Sequence, residues 1–224
     1  MFQNLNENTK GNYSMANKMM MTPKGSANWV KVFFPPDTKY KAEGEYSMKL
    51  VVREDLAEDL CGQLDSLTDE IYAKSLKDNP KLKTKLTKRT PYEQVLDDEG
   101  NETGEIEFKF KTKARITAKD GSTYTNKVAV FDAKAKPITE QLNIGNGSIM
   151  KVGFEPVPYM MQSTKEASVS LRLKSTQLID LVEFGAASPF GEEEGYTFEE
   201  SSKPSEVAEE SSSDFSNEED EEDF

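Results

Sequence analysis

The chain counts 224 residues, with 28 Lys or Arg against 41 Asp or Glu, a single cysteine at Cys61 and no histidine. Without histidine it lacks the usual general base at neutral pH, the Ser-His and Cys-His nucleophile pairs and most transition-metal chemistry, so a hydrolytic enzyme is disfavoured and no cofactor is expected. One cysteine excludes an intramolecular disulfide and a cysteine-built zinc site, and no apolar run approaches the ~18 residues of a membrane span.

The net charge of −13 is unevenly spread. Glu192 to Phe224 holds fifteen acids and one base, Lys203, and ends on Glu218-Glu219-Asp220-Glu221-Glu222-Asp223-Phe224, so the rest of the chain sums to about +1. Such a stretch has too few apolar residues to offset chain entropy and its charges repel, which predicts a disordered acidic arm over 192–224. A lone aromatic after six acids reads as a ligand for something basic. Residues 28–191 are enough for one domain with a full core.

Residues 1–27 show neither helical nor alternating periodicity and read as a flexible lead-in, with Met19-Met20-Met21 as a loosely packed apolar patch. Trp29 to Phe34 is a β-rich hexamer stopped by Pro35-Pro36, and Glu45 to Val52 alternates Tyr46, Met48, Leu50 and Val52 against polar neighbours, so two strands are predicted. The period then changes. Leu56, Leu60, Leu64, Leu67 and Ile71 recur at helical spacing, which predicts a helix from Glu54 to Asp78, ~37 Å long, ended by Asn79-Pro80 and packed outside the sheet. Lys81, Lys83, Lys85, Lys88 and Arg89, with Lys77 just before, form the densest basic run. Beyond an acidic turn, Ile106, Phe108 and Phe110 face one way and Lys109 and Lys111 the other, giving a strand with an apolar and a cationic side. Further strands are predicted at Thr123 to Phe131, Ser148 to Phe154, Ala167 to Lys174 and Gln177 to Phe184. One helix among six or seven strands makes the chain mainly β, an antiparallel barrel or sandwich.

Three constellations could carry chemistry. The basic run 81–89 with Lys109, Lys111 and Lys113 suits a phosphate backbone, although lysines also guard exposed strand edges. Trp29, beside Lys31, and Tyr92, Tyr124 and Tyr159 stand next to polar or basic residues, where nucleobases stack; Trp29 fits the core equally well, whereas Tyr159 follows the stiff Pro156-Val157-Pro158. The acids Asp97, Asp98, Glu99, Glu105 and Glu107 could hold magnesium for a nuclease, but beside Gly100 and Gly104 they read better as a hydrophilic turn.

The landmarks Asn79-Pro80, Pro91-Tyr92-Glu93, Phe108-Lys109-Phe110-Lys111, Gly145-Asn146-Gly147-Ser148, Val157-Pro158-Tyr159, Ala167-Ser168-Val169, Phe184-Gly185 and an acidic tail ending in Asp-Phe occur in an order that resembles the single-stranded DNA-binding proteins of T7-like bacteriophages. The resemblance implies an oligonucleotide/oligosaccharide-binding (OB) barrel with one long helix, a homodimer in the cytoplasm of an infected bacterial host, and strand protection and annealing in DNA replication, recombination and repair. It also implies that the tail, through Glu221, Glu222, Asp223 and Phe224, contacts the phage DNA polymerase and helicase-primase. By position it assigns DNA contact to Lys109, Lys111 and Tyr159, with Lys81, Lys83, Lys85, Lys88 and Arg89 beside them; Trp29 and Lys31 join on the residue reading above. Met160 and Met161 stand where the family has a second aromatic, and Met1 to Ser14 has no counterpart. The rival reading is an acidic-tailed protein-interaction module or DNA mimic that does not itself bind DNA.

Overall fold

Alternation builds the first wall. In the computed structural model, which describes residues 18–183 apart from 34, 40–41 and 119, strand β3 (Glu45–Arg53) turns Tyr46, Met48, Leu50 and Val52 inward, each at most 1% exposed. Its neighbour β6 (Glu102–Lys113) turns Ile106, Phe108 and Phe110 to meet them, in a register that sets Met48 against Phe110 and Lys49 against Lys109. Opposed residues share a face, so the same pairing that fills the core also lines up the outward lysines.

Three more strands complete a cylinder. Strand β2 (Gly25–Lys31) pairs with β3, while β10 (Ser148–Met161) pairs with β2 through Ser148–Met150 and along its length with β11 (Glu166–Asp180). The last contact, between β11 and β6, closes the order β10-β2-β3-β6-β11 into a five-stranded barrel of the OB type, with one long helix, as expected from the sequence. That closure is parallel and rests on one pair, Lys111 with Arg172. Shorter strands decorate it: β1 (Met20–Met21) on β10, β4 (Thr87–Lys88) and β9 (Ala129–Phe131) on β11, β5 (Tyr92–Leu96) on β6, and a separate hairpin of β7 (Arg115–Thr117) and β8 (Thr123–Thr125).

The helix α1 spans Glu54–Asp78, with Glu54 and Asp55 in its first turn and Lys77 in its last, each favourable to the helix dipole. Ala57, Leu60, Cys61, Leu64 and Leu67 join the barrel's own core cluster, so the helix feeds the interior and does not cover the sheet's outer side. Leu56, expected on that stripe, is 52% exposed. Burial and the nearby Asp65 carboxylate push the Cys61 thiol up to about 11, which leaves it an inert packing group.

Several boundaries differ from expectation. The strand expected from Trp29 starts at Gly25, and the lead-in is already ordered at Met20: Met20 and Met21 pair with Phe154 and Gly153, and Thr22 exchanges hydrogen bonds of 2.9 and 3.0 Å with Val152. Gly25 is required there, because a Cβ would come within 2.4 Å of the Val51 carbonyl oxygen. The segment expected as one strand over 123–131 divides between β8 and β9, which lie in different sheets. Conversely β10 runs on through Pro156 and Pro158, where β11 is its neighbour but β1 and β2 have ended, so the missing amides leave no bond unmade on that side. Residues 1–17 and the acidic tail over 192–224, including Glu221, Glu222, Asp223 and Phe224, lie outside the described residues.

Candidate nucleic-acid interface

Because β6 and β11 meet at one pair, they diverge on either side of it, and a trough opens between them. The larger part, about 630 Å³, is lined by Lys109 and Lys111 from β6, by Tyr159 from β10, by Ser168 to Leu171 from β11, and by Arg89 to Glu93 from the connection into β5. Tyr159 stands opposite Ser168, half-buried and two residues before its strand ends. Lys109, Lys111 and Tyr159, singled out separately in the sequence, are therefore brought to one cavity.

Charge pairing separates the bases near this trough. Lys49 is held by Glu107 at 2.6 Å and Lys113 by Glu43 at 3.0 Å, while Arg89 reaches Glu93 at 3.9 Å. Lys109 and Lys111 have no ion-pair partner among the described residues. An anion entering the trough meets two cations that need not first be released from a carboxylate. Tyr92 contributes a wall: its ring packs on Phe108 at 5.9 Å and its hydroxyl donates to Asp65 at 2.9 Å, burial first and that bond second holding the phenol well above its ordinary range.

The basic run is placed differently. Pro80–Leu82 forms a short 3-10 turn, and Leu82 and Leu86 plug a second apolar cluster with Ala167, Ile71, Tyr72 and Leu76. Lys81, Lys83 and Lys85 are left exposed at the C-terminal end of α1, outside the trough. Lys88 turns back onto the helix, 2.6 Å from Asp69 and 5.2 Å above the Tyr72 ring, and Asp69 raises its pKa. Of that run, Arg89 alone lines the trough.

Trp29 and Lys31 lie in another cleft, with Phe33, Leu142, Ile144 and Asn146. The register slips between Asn28 and Lys31, and Trp29 sits there at φ 53°, 66% exposed, its N–H donating to Asn146 Oδ1 at 2.9 Å. That left-handed backbone is unusual for a bulky residue and depends on the asparagine that holds it. Lys31 is paired with Asp37 at 2.5 Å. Lys31 nevertheless shares the trough's side of the barrel, since it stands opposite Ser47, which stands opposite Lys111.

Sequence reasoning did not select Ser168, Ser170, Arg172 and Lys174 of β11, although Arg172 and Lys174 alternate with the buried Leu171 and Leu173 in the manner that exposed Lys109 and Lys111. The acidic turn closes on itself: Asp97 Oδ1 accepts the Glu99 and Asn101 backbone N–H groups at 2.9 and 2.8 Å, and these bonds, that from Asn101 foremost, lower its pKa.

Known proteins resemble this chain in sequence and in fold. The family model described as single-stranded DNA-binding protein, bacteriophage T7, matches residues 25–181. A relative named single-stranded DNA-binding protein from Enterobacteria phage T3 is 38% identical over 121 residues, 50% of this chain and 51% of the relative. One of the same name from Escherichia phage T7 is 35% identical over 127 residues, 54% and 55% of the two chains, so the chain spans about half the length of the curated relatives it matches. The crystal structure of gp2.5, a single-stranded DNA-binding protein encoded by bacteriophage T7, superposes with a TM-score of 0.64 at 25% identity, covering 82% of this chain and 100% of that one. With well over half its length matched by the family model, the chain belongs to the T7-type family of phage single-stranded DNA-binding proteins.

Proposed function

We propose that the protein binds single-stranded DNA without marked sequence preference and without catalysing a reaction on it. The observation that carries this reading is the pair Lys109 and Lys111, unpartnered among the described residues and facing Tyr159 across one trough. Lysines track phosphates, and a tyrosine ring offers a face that any base can stack on. Arg89 adds a third cation, and Lys31 extends the path across β3, about 10 Å from Lys111 at the usual strand spacing, with Trp29 exposed in the cleft beside Lys31. The exposed Lys81, Lys83 and Lys85 contribute a diffuse field, and Lys88 acts from its pair with Asp69.

The finer biology extends the same reading. A domain over 28–191 carries the DNA site, while the arm over 192–224 competes for it as a tethered polyanion at an effective concentration of about 1 mM. DNA displaces the arm, and Glu221, Glu222, Asp223 and Phe224 become free to engage the phage DNA polymerase and helicase-primase in the host cytoplasm. The homodimer protects and anneals strands during replication, recombination and repair. A titration of labelled oligothymidylate with full-length protein and with a form lacking Gly195 to Phe224 tests both levels. Binding should weaken steeply between about 50 and 200 mM salt, and the shortened form should bind more tightly. Absence of binding by both forms would overturn the reading in favour of a protein-interaction module; equal affinity would remove the competing arm.

A further inference from the structure

Beyond the pair Lys111 and Arg172 the trough reopens as a second cavity of about 450 Å³, lined by Lys111, Lys113, Ile116, Tyr124, Ser170, Arg172 and Lys174 among others. It shares Lys111 and Ser170 with the first, so the two cavities form one channel with a waist at the closing pair. From the hairpin side Ile116 and Tyr124 face it as cross-strand partners. Tyr124 is 52% exposed.

This ring lies outside the core, on a strand that is tied to the barrel. Two residues after it, Asn126 ties the hairpin to β6: its Nδ2 donates to Thr112 Oγ1 and to the Lys113 carbonyl, each at 3.1 Å, and its backbone N–H donates to the Ala114 carbonyl at 2.7 Å. An exposed aromatic carried on an anchored strand spends less backbone freedom when a base stacks on it. Across the cavity, Arg172 and Lys174 share one carboxylate, Glu155, at 3.4 and 2.9 Å, so two cations are met by one acid and an excess positive charge remains.

We infer that Tyr124 is a second base-stacking platform, which takes an unpaired nucleobase beyond the waist while Lys111, Arg172 and Lys174 face the adjoining phosphates. This subsite rests on the proposed binding of single-stranded DNA in the first cavity. Ser168 and Lys174 are six residues apart on one extended strand, roughly 20 Å, so a strand passing both platforms must be longer than one that occupies the Tyr159 side alone.

The test is the dependence of affinity on length. Full-length wild-type, Tyr124→Ala and Tyr124→Phe proteins are titrated with oligothymidylates of roughly four, eight and twelve nucleotides. Tyr124→Ala should bind the shortest strand as wild type does and lose about 5- to 100-fold on the longest, with Tyr124→Phe restoring the loss because the ring face is what matters. Unchanged affinity of Tyr124→Ala at every length would overturn the subsite while leaving the first cavity intact. Equal losses at every length would also overturn it, by showing that the hairpin only supports the first cavity. If wild type bound none of the strands, the first cavity itself would fail and the subsite with it.

Discussion

Residues 81–89 carry five bases in nine positions, whereas residues 109–111 carry two in three. The denser cluster winds round the end of α1, buries Leu82 and Leu86, and turns Lys88 onto Asp69. The sparser one sits on a strand whose other face is core, so Lys109 and Lys111 are pressed outward to the same side and into the same trough. Clustered charge raises a field, but a groove needs charges that converge and are free of partners. Strand alternation delivers the first condition, and the distribution of carboxylates the second.

The contrast can be broken at either end. Its largest consequence is for stability. Leu86→Ala, at a site 5% exposed, should lower the free energy of unfolding by about 2–4 kcal/mol in urea denaturation, while the folded fraction keeps its affinity for DNA. Next, the Lys109→Ala and Lys111→Ala double variant should reduce the slope of log affinity against log salt by about 1.4, an affinity loss of roughly 25-fold at 0.1 M salt that vanishes toward 1 M. The triple replacement of Lys81, Lys83 and Lys85 by alanine should change affinity by no more than about threefold, as distant screened charges do. Reversed rank between these two variants in one salt titration would refute the assignment of the trough. Smaller still, Lys88→Ala removes an exposed pair and should shift stability by about 0–1 kcal/mol.

Acid offers a last probe of the trough's far wall. Lys174, hydrogen-bonded to Glu155, holds that carboxyl below its ordinary 4.5, with partial burial opposing. A carboxyl depressed in this way lends stability above its unfolded pKa and loses it as pH falls through the lower folded value. Glu155→Gln should therefore melt below wild type at pH 6, with the two melting temperatures converging as the pH drops under about 4.

Much of the fold is written in local periodicity. The helix, with its end at Asn79-Pro80, and the inward sets of β3 and β6 follow from spacing and a local stop signal, since each is set by neighbours in sequence. What escaped notice depends on distant partners. Ser175 and Thr176 look like a break between two strands, yet Ser175 to Gln177 stay extended because β9 pairs with them on one side and Lys151 to Gly153 of β10 on the other. Trp29 carries nothing in its neighbours to announce a left-handed backbone; Asn146, 117 residues away, fixes it. At the site, Lys109, Lys111 and Tyr159 were legible as types beside their neighbours, but which lysines keep carboxylate partners was not. That property belongs to the pairing of Lys49 with Glu107 and of Lys113 with Glu43.

The pair of Lys111 and Arg172 that completes the barrel also sets where it yields. Nine paired positions bind β3 to β6, but a solitary rung stitches β6 to β11, so thermal breathing should begin along that seam. The channel proposed for DNA runs directly over it. A wall that parts along its own floor can widen for purines and narrow for pyrimidines without disturbing the core, which makes tolerance of sequence a mechanical property of how the cylinder is fastened. Backbone amides that bond across the β6–β11 seam should accordingly exchange before those that bond β3 to β6, and slow once a strand lies across the opening.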